Sequence, residues 1–246
     1  ESHTLSVTEQ IESGKKQSAK KYTGSSYIAY FQAYTNTYAS LAYLEKLYME
    51  AILHPDIRIL SIATRPDCLS TEILDLERLN QIKPVWVELG LQTIHERTAR
   101  YIRRGYDLPV FETAVSELRR RGIDVIVHTI LCLPGETKPD MLQTIQYLNR
   151  QDIQGIKLQL LHILKDTDLA EIYASDPFPV PDPQEYYELL GACISHLKPD
   201  IVIHRLTGDG PKELLTTPLW TCNKRQVLNQ LQSYFKTHDI WQGKEY

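Results

Sequence analysis

Cysteine is scarce in this chain, and its distribution excludes two classes of site. The four cysteines are too far apart for a C-x-x-C or another short metal-ligand spacing: Cys68, Cys132, Cys193 and Cys222. Isolated cysteines in a chain of 246 residues indicate a reduced protein, not a disulfide scaffold. We therefore predict no metal site from these residues, and we expect a cytoplasmic protein.

Long apolar runs and a strong net charge are also missing. No apolar run reaches the length of a membrane span, and the polar start at residues 1–4 does not resemble a signal peptide, so no membrane association is expected. The net charge of −4 does not indicate nucleic-acid binding. A local basic patch is the exception to consider: Lys15, Lys16, Lys20 and Lys21 suit either a solvated helix face or an RNA contact.

What is present is the pattern of an α/β protein. Six apolar segments have the composition of buried strands: 27–32, 57–63, 85–91, 125–131, 155–162 and 201–204. Helical patterns occupy 5–21, 41–53, 71–81, 95–104, 109–121, 139–150, 183–197 and 224–238. Strands and helices alternate, which predicts parallel strands with crossover helices. Because the strands are continuously apolar, both faces of the sheet should be covered.

Polar side chains lie at the ends of all the predicted strands. Ligands bind at the carboxyl ends of parallel strands, so this repetition predicts an enzyme. Glu88 is the sharpest case, because a carboxylate in an apolar strand is costly unless it is paired. It indicates either a hydrogen bond to a neighbouring strand or a functional site. The polar groups are Gln32 and Asn36, Thr64 and Arg65, Glu88 and Gln92, His128 and Glu136, Lys157 and His162, and His204 and Arg205.

Several of these segments resemble a known family. The stretches 64–67, 87–93 and 128–137 read T-R-P-D, V-E-L-G-L-Q-T and H-x-I-x-x-L-P-G-E-T, and they resemble radical S-adenosylmethionine (SAM) enzymes. The stretches 30–37, 155–162 and 204–209 resemble the YtqA/YhcC-like branch, which is related to the Elongator catalytic subunit. The resemblance implies a partial (βα)6 TIM-like radical SAM barrel over residues 1–204 and a C-terminal helical extension over 205–246.

One part of the family pattern is not found. These enzymes bind a [4Fe–4S] cluster on a C-x3-C-x2-C loop after the first strand, and the sequence contains no such loop. We therefore expect the first strand and the cluster loop to be missing from this chain, which by itself should be inactive. With the loop restored, the resemblance implies SAM and a [4Fe–4S] cluster as cofactors. It also implies a reductant protein such as flavodoxin or ferredoxin as a partner.

The resemblance also implies where SAM is held. The turn from Gln32 to Thr37 is expected at the SAM ammonium, and Arg65 or Lys157 at its carboxylate; the arginine fork suits a carboxylate best. The ribose and the adenine of SAM are expected to contact residues at the ends of the later strands. Glu88 and Gln92 are expected at the ribose, and His128 and Gly135 at the adenine. The other implied SAM-binding residues are Gln32, Asn36, Thr37, Arg65 and Lys157.

The resemblance also implies a substrate site and a class of substrate. Substrate groups are expected from His162, His204, Arg205 and Asp209; the alternative for His204-Arg205 is a structural pairing with Asp209 or a helix end. The resemblance implies a radical SAM enzyme that modifies the 5-position side chain of the wobble uridine in tRNA. A radical enzyme for a small metabolite and a non-catalytic SAM- or RNA-binding scaffold are the alternatives.

Overall fold

A computed structural model describes residues 5–32, 34–70, 76–208 and 210–246. Its strands are β1 Tyr27–Phe31, β2 Ile57–Thr64, β3 Val85–Gln92, β4 Asp124–Leu131, β5 Gly155–Leu160, β6 Ile163–Leu164, β7 Val202–Arg205 and β8 Leu215–Thr217. Its α-helices are α1 Val7–Ser18, α2 Leu41–Leu53, α3 Leu76–Asn80, α4 Glu96–Tyr101, α5 Leu108–Arg120, α6 Lys138–Leu148, α7 Asp168–Ser175, α8 Pro183–His196 and α9 Lys224–Thr237. No helix of the described part of the chain has the length and apolarity needed to cross a membrane.

The predicted α/β fold is confirmed. Six strands form one sheet in the order β1-β2-β3-β4-β5-β7. Strands that are adjacent in this sheet therefore follow one another along the chain, except that β6 lies between β5 and β7 and belongs to another sheet. The pairs β1–β2, β2–β3 and β5–β7 are parallel. Parallel neighbours require a crossover connection, and helices supply these connections along the chain. Residues 71–75 of the helix predicted over 71–81 lie outside the described residues, and the described part contains α3 Leu76–Asn80.

The described chain divides into two compact units. The first unit comprises Glu1–Gly90 and Pro109–Ile126, and the second comprises Leu91–Leu108 and Val127–Tyr246. The division into 1–204 and 205–246 that the sequence suggests stays a prediction.

In the first unit, β2 and β3 form the centre of the core. Leu60, Ile62, Val87 and Leu89 are each 0% exposed, as β-branched and large aliphatic residues on a covered strand should be. Helix α2 buries one stripe of residues at helical spacing: Leu44, Tyr48, Ala51 and Ile52.

Helix α1 is attached in a different way, because Val7 is its one buried residue. The ammonium of Lys15 lies 2.7 Å from the Glu12 carboxylate and 2.5 Å from that of Asp56. These contacts raise the pKa of Lys15, chiefly through the hydrogen bond to Asp56. Glu12, His54 and Asp56 lie close enough together to suggest a cation site, but the Lys15 ammonium already supplies the positive charge.

In the second unit, two elements differ from the sequence prediction. Helix α7 and the antiparallel pair β6–β8 both lie in segments for which the sequence predicts no element. Helix α7 has eight residues and buries none of them, and its apolar residues Leu169, Ile172 and Tyr173 form too short a pattern to identify it. Strand β6 has two residues, and its partner β8 follows about fifty positions later, so no local pattern marks this pair.

Candidate functional site

Asn36 of the first unit fastens the ends of β1 and β2 together. Its side-chain amide donates hydrogen bonds of 2.9 Å to the carbonyls of Phe31 and Ala63. The hydroxyl of Tyr48 donates to the Asn36 carbonyl. Both amide hydrogens of Asn36 are therefore used within the protein, and what it can offer the ammonium of SAM is the amide oxygen. Gln32, which was predicted beside it, lies exposed directly after β1.

Thr37 is buried, and its hydroxyl is also used internally. It donates to the carbonyl of Cys68 at 2.7 Å and lies 2.5 Å from the hydroxyl of Thr64 at the end of β2. Thr37 and Cys68 line a cavity of about 450 Å³ together with Asp67. The residue therefore shapes the loop beside this cavity, and any contact it makes with SAM remains a prediction.

Arg65 already has an anionic partner. Its Nε and Nη2 donate to the two oxygens of Asp67 at 2.9 and 2.7 Å, which is a two-pronged pairing. The hydrogen bond from Arg65 is the main reason why the pKa of Asp67 is lowered. A SAM carboxylate would have to share Arg65 with Asp67.

Glu88 is 4% exposed, and it accepts a hydrogen bond of 2.7 Å from Ser61 on the neighbouring strand β2. The hydrogen bond to a neighbouring strand, which was one of the two explanations for this carboxylate, is therefore present. It accounts for part of the cost of burying Glu88. Whether Glu88 also meets a ribose stays a prediction.

In the second unit, Gln92 combines backbone strain with an unsatisfied polar atom. Its φ is +66°, a left-handed conformation that costs a residue with a side chain about 1–2 kcal/mol. Its Oε1 is buried and has no hydrogen-bond partner among the described residues. Such an acceptor is costly unless a ligand group donates to it. Ribose hydroxyls are donors of this kind, so Gln92 fits the predicted role.

The turn after β4 presents backbone rather than side chain. Gly135 has φ +81°, and a Cβ at this position would meet no described atom within 4 Å. A flat ring could therefore approach this backbone closely, which fits the adenine expected there. His128 on β4 is half-buried.

Glu136, next to that turn, forms a hydrogen bond with Thr93 that the sequence does not predict. The hydroxyl of Thr93, after β3, donates to Glu136 Oε1 at 2.5 Å, and the amide of His95 donates to the same hydroxyl. Burial raises the pKa of Glu136, and the hydrogen bond from Thr93 opposes this. The spacing of 43 residues between Thr93 and Glu136 is too long for any local sequence signal.

Lys157 and Arg205 face each other across the pair β5–β7. Lys157 is 6% exposed, and its carbonyl accepts a 3.0 Å hydrogen bond from the hydroxyl of Thr129. Arg205 is half-buried, and its Nη1 lies 3.4 Å from the side-chain oxygen of Gln159. Their roles toward SAM and substrate remain predictions.

His162 is enclosed by the glycines of a later loop. The amide of Gly210 donates to its Nδ1 at 3.2 Å, and a Cβ on Gly208 would lie 2.4 Å from its Nε2. Any residue with a Cβ at position 208 would clash with the imidazole ring of His162 in its present position, so this position requires glycine. The neighbouring Asp209, which was predicted to contact substrate, lies outside the described residues, and His204 on β7 is half-buried.

The residues present fit SAM better than they fit an iron–sulfur cluster. Gln92 and Gly135 offer a SAM molecule an unsatisfied acceptor and an open backbone. The four cysteines are not disulfide-bonded, and within the described ranges none of them belongs to a group of three metal-binding side chains. No reaction step can be assigned to a cluster held by these residues.

Comparison with known proteins agrees with the fold and with the sequence motifs. The model of the Radical SAM superfamily matches residues 6–148, and that of the Radical_SAM C-terminal domain matches residues 153–237. The uncharacterized protein YtqA of Bacillus subtilis is 39% identical over 231 residues, which are 94% of this chain and 72% of YtqA. The protein YhcC of Escherichia coli K12 is 35% identical over 216 residues, 87% of this chain and 70% of YhcC.

A solved structure shows the same fold. An Elp3 of the archaeon Methanocaldococcus infernus with an N-terminal deletion superimposes with a TM-score of 0.78 over 95% of this chain, at 17% sequence identity. This chain spans 59% of that protein. At such low identity the likeness concerns architecture.

Proposed function

This chain belongs to the radical SAM superfamily, and on that premise we propose that the protein is a radical SAM enzyme that modifies the 5-position side chain of wobble uridine in tRNA. Residues of this chain bind its SAM and its RNA substrate. The superfamily match and the relatives YtqA and YhcC support the radical SAM part. The RNA part rests on the resemblance to the Elongator catalytic subunit and on the Elp3 fold.

The observation that carries the SAM proposal is Gln92. Its buried Oε1 has no partner in the described structure, and its backbone is held at φ +66° at the end of β3. Strained residues with an unmet polar group concentrate at ligand sites, where binding compensates their cost. A donor from the ribose of SAM would satisfy this oxygen.

When bound, and with one electron from a reduced [4Fe–4S] cluster, SAM would supply the chemistry that removes a hydrogen atom from the substrate. The residues of this chain bind and orient the cofactor and keep water away from it. Gln92 holds the ribose, and the backbone at Gly135 lies against the adenine. Arg65 or Lys157 binds the SAM carboxylate, and Arg65 would share its fork with Asp67.

The SAM proposal is tested by calorimetric titration of SAM into the protein and into Gln92→Gly. Glycine tolerates φ +66°, so the variant should fold while its affinity for SAM falls about tenfold, the equivalent of one hydrogen bond. Asp166→Gly is the matched control, because Asp166 is exposed and also has a left-handed backbone, with φ 60°. Equal SAM affinity in both variants would remove Gln92 from the site.

The catalytic and RNA parts need separate experiments on the full-length protein. After reconstitution with iron and sulfide, we expect cleavage of SAM to 5′-deoxyadenosine; a fully loaded protein that cleaves no SAM would favour a non-catalytic binding protein. Binding of a tRNA transcript should weaken steeply with salt, since phosphate contacts release counterions. Binding that is absent or insensitive to salt would favour a small-metabolite substrate.

A further inference from the structure

A cavity of about 650 Å³ in the second unit lies directly beside the Gly135 turn. Helix α4 forms one wall, and the segment 176–179 after helix α7 forms another. The residues that decide its chemistry are Arg97, Arg100, Tyr101, Gly135, Asp176 and Phe178.

Two of these residues are arginines whose side chains have no partner within the part of the chain that the structure describes. Arg97 and Arg100 are three positions apart on α4, so their side chains lie on the same face of the helix. Both are exposed, and neither side chain forms an ion pair or a hydrogen bond with any residue that the structure describes. The next two arginines of the segment are used internally: Arg103 pairs with Asp168, and Arg104 pairs with Glu96. Arg97 and Arg100 therefore keep their full donor capacity for an anion.

The same cavity offers aromatic surface. Tyr101 is 44% exposed, and the ring of Phe178 is held edge-on against Tyr173, with the ring centres 5.0 Å apart. Proteins that bind single-stranded nucleic acid combine cationic groups along the backbone with aromatic rings on which bases stack. Asp176, on the same wall, can accept a hydrogen bond from a sugar hydroxyl or a base amine, but it would repel a ligand that is anionic throughout.

We propose that this arginine–aromatic cavity holds a nucleotide of the RNA substrate that flanks the modified one. Arg97 and Arg100 bind its phosphate, since guanidinium groups match phosphate oxygens in two-pronged pairs. The base lies against Tyr101 and Phe178. The position next to Gly135 would bring the RNA to the turn assigned to adenine of SAM. The inference rests on the proposed RNA substrate and adds where the RNA is held.

The test measures the affinity of the full-length protein for a fluorescent tRNA anticodon stem-loop over a range of salt concentrations. In the double variant Arg97→Gln/Arg100→Gln, the slope of log affinity against log salt should fall by about 0.7–0.9, because the contact with one phosphate is lost. Affinity at low salt should fall at least tenfold. In Phe178→Leu, affinity should fall about fivefold or more at an unchanged slope, because stacking does not release counterions.

Arg103→Gln is the matched control, because its charge is already paired with Asp168. It should bind the stem-loop within about twofold of the wild type. Titration of SAM into each variant checks that the fold is intact, since both arginines are exposed and SAM affinity should not change.

The outcomes separate the two proposals. A wild-type protein that binds no RNA would refute the proposed substrate. A wild type with salt-dependent RNA binding that the double variant retains in full would refute this cavity as the RNA site. If the double variant instead loses binding to a polyglutamate peptide and keeps RNA binding, the arginines serve an acidic protein partner and the inference is overturned.

Discussion

The hydroxyl of Ser61 on β2 and the carboxylate of Glu88 on β3 are joined by a hydrogen bond of 2.7 Å inside the sheet. Ser61 is 1% exposed and Glu88 4%. Water cannot replace a lost partner at such a depth, so the carboxylate depends on donors from the protein.

Replacing Ser61 by alanine removes that donor without removing the charge. We expect Ser61→Ala to lower the free energy of unfolding by about 1–3 kcal/mol, as measured by urea denaturation. Ser175→Ala is the control, since this exposed hydroxyl bonds only within its own helix and should change stability by less than about 0.5 kcal/mol. Similar losses in both variants would mean that Ser61 does not support Glu88.

Arg104 makes a second prediction, because its side chain is only 2% exposed. It donates to the carbonyls of Thr93 and Tyr106 at 2.8 and 2.9 Å and to Glu96 at 2.7 Å. Lysine keeps the charge but cannot reach three fixed acceptors, so Arg104→Lys should cost about 2 kcal/mol or more. Arg103→Lys, at a pair whose arginine is 75% exposed, should cost less than about 0.5 kcal/mol. Thermal or urea unfolding distinguishes the two, and equal costs would contradict the contact set of Arg104.

Because His162 packs against Gly208, substitutions at these two positions should have coupled effects on the free energy of unfolding. Gly208→Ala places a methyl group 2.4 Å from the ring nitrogen Nε2, so the ring or the loop must move, at a cost of about 1–3 kcal/mol. In a His162→Ala background the same methyl group has space, and most of this cost should vanish. A double-mutant cycle from urea unfolding measures the difference. An additive result would show that the loop does not pack on the ring.

Glu136 predicts a pH dependence. Its pKa is raised above the ordinary 4.5 by burial, so the folded protein binds this proton more tightly than the unfolded chain. The stability linked to the proton is present at acidic pH, and it is lost as the pH rises through the raised pKa.

In the Glu136→Gln variant the side chain at position 136 cannot bind or release a proton. The stability of the glutamine variant relative to the wild type should therefore increase as the pH is raised from about 4 toward neutrality, as measured by urea unfolding at each pH. A relative stability that stays constant or decreases with pH would contradict the raised pKa. The other titrating groups are common to both proteins and cancel in the difference.

The sequence predicts the framework of this protein well, because each main element has a local cause. Helix α2 was predicted over 41–53 and has those bounds, since its apolar stripe and its flanks mark it fully. The parallel sheet follows from continuous apolar strands separated by helices, and all the six predicted strands are present in that sheet.

What the sequence could not supply is the use of the polar groups. The SAM-binding roles of Asn36 and Arg65 stay predictions, and the sequence does not show that their donors contact Phe31, Ala63 and Asp67 within the fold. Such pairings depend on which side chains the backbone brings together, and single residue types do not encode this. The left-handed backbone of Gln92 could not be predicted from the sequence either, since glutamine has no preference for this conformation.

The attachment of helix α1 has a consequence for how the molecule responds to solution conditions. Ammonium and carboxylate contacts around Lys15 fasten this helix, and its apolar contribution to the core is a single valine. Added salt screens such contacts while it leaves burial of the sheet residues unaffected. At high ionic strength the amino-terminal helix should therefore become the first segment open to proteases, at concentrations where the remainder of the first unit still resists them.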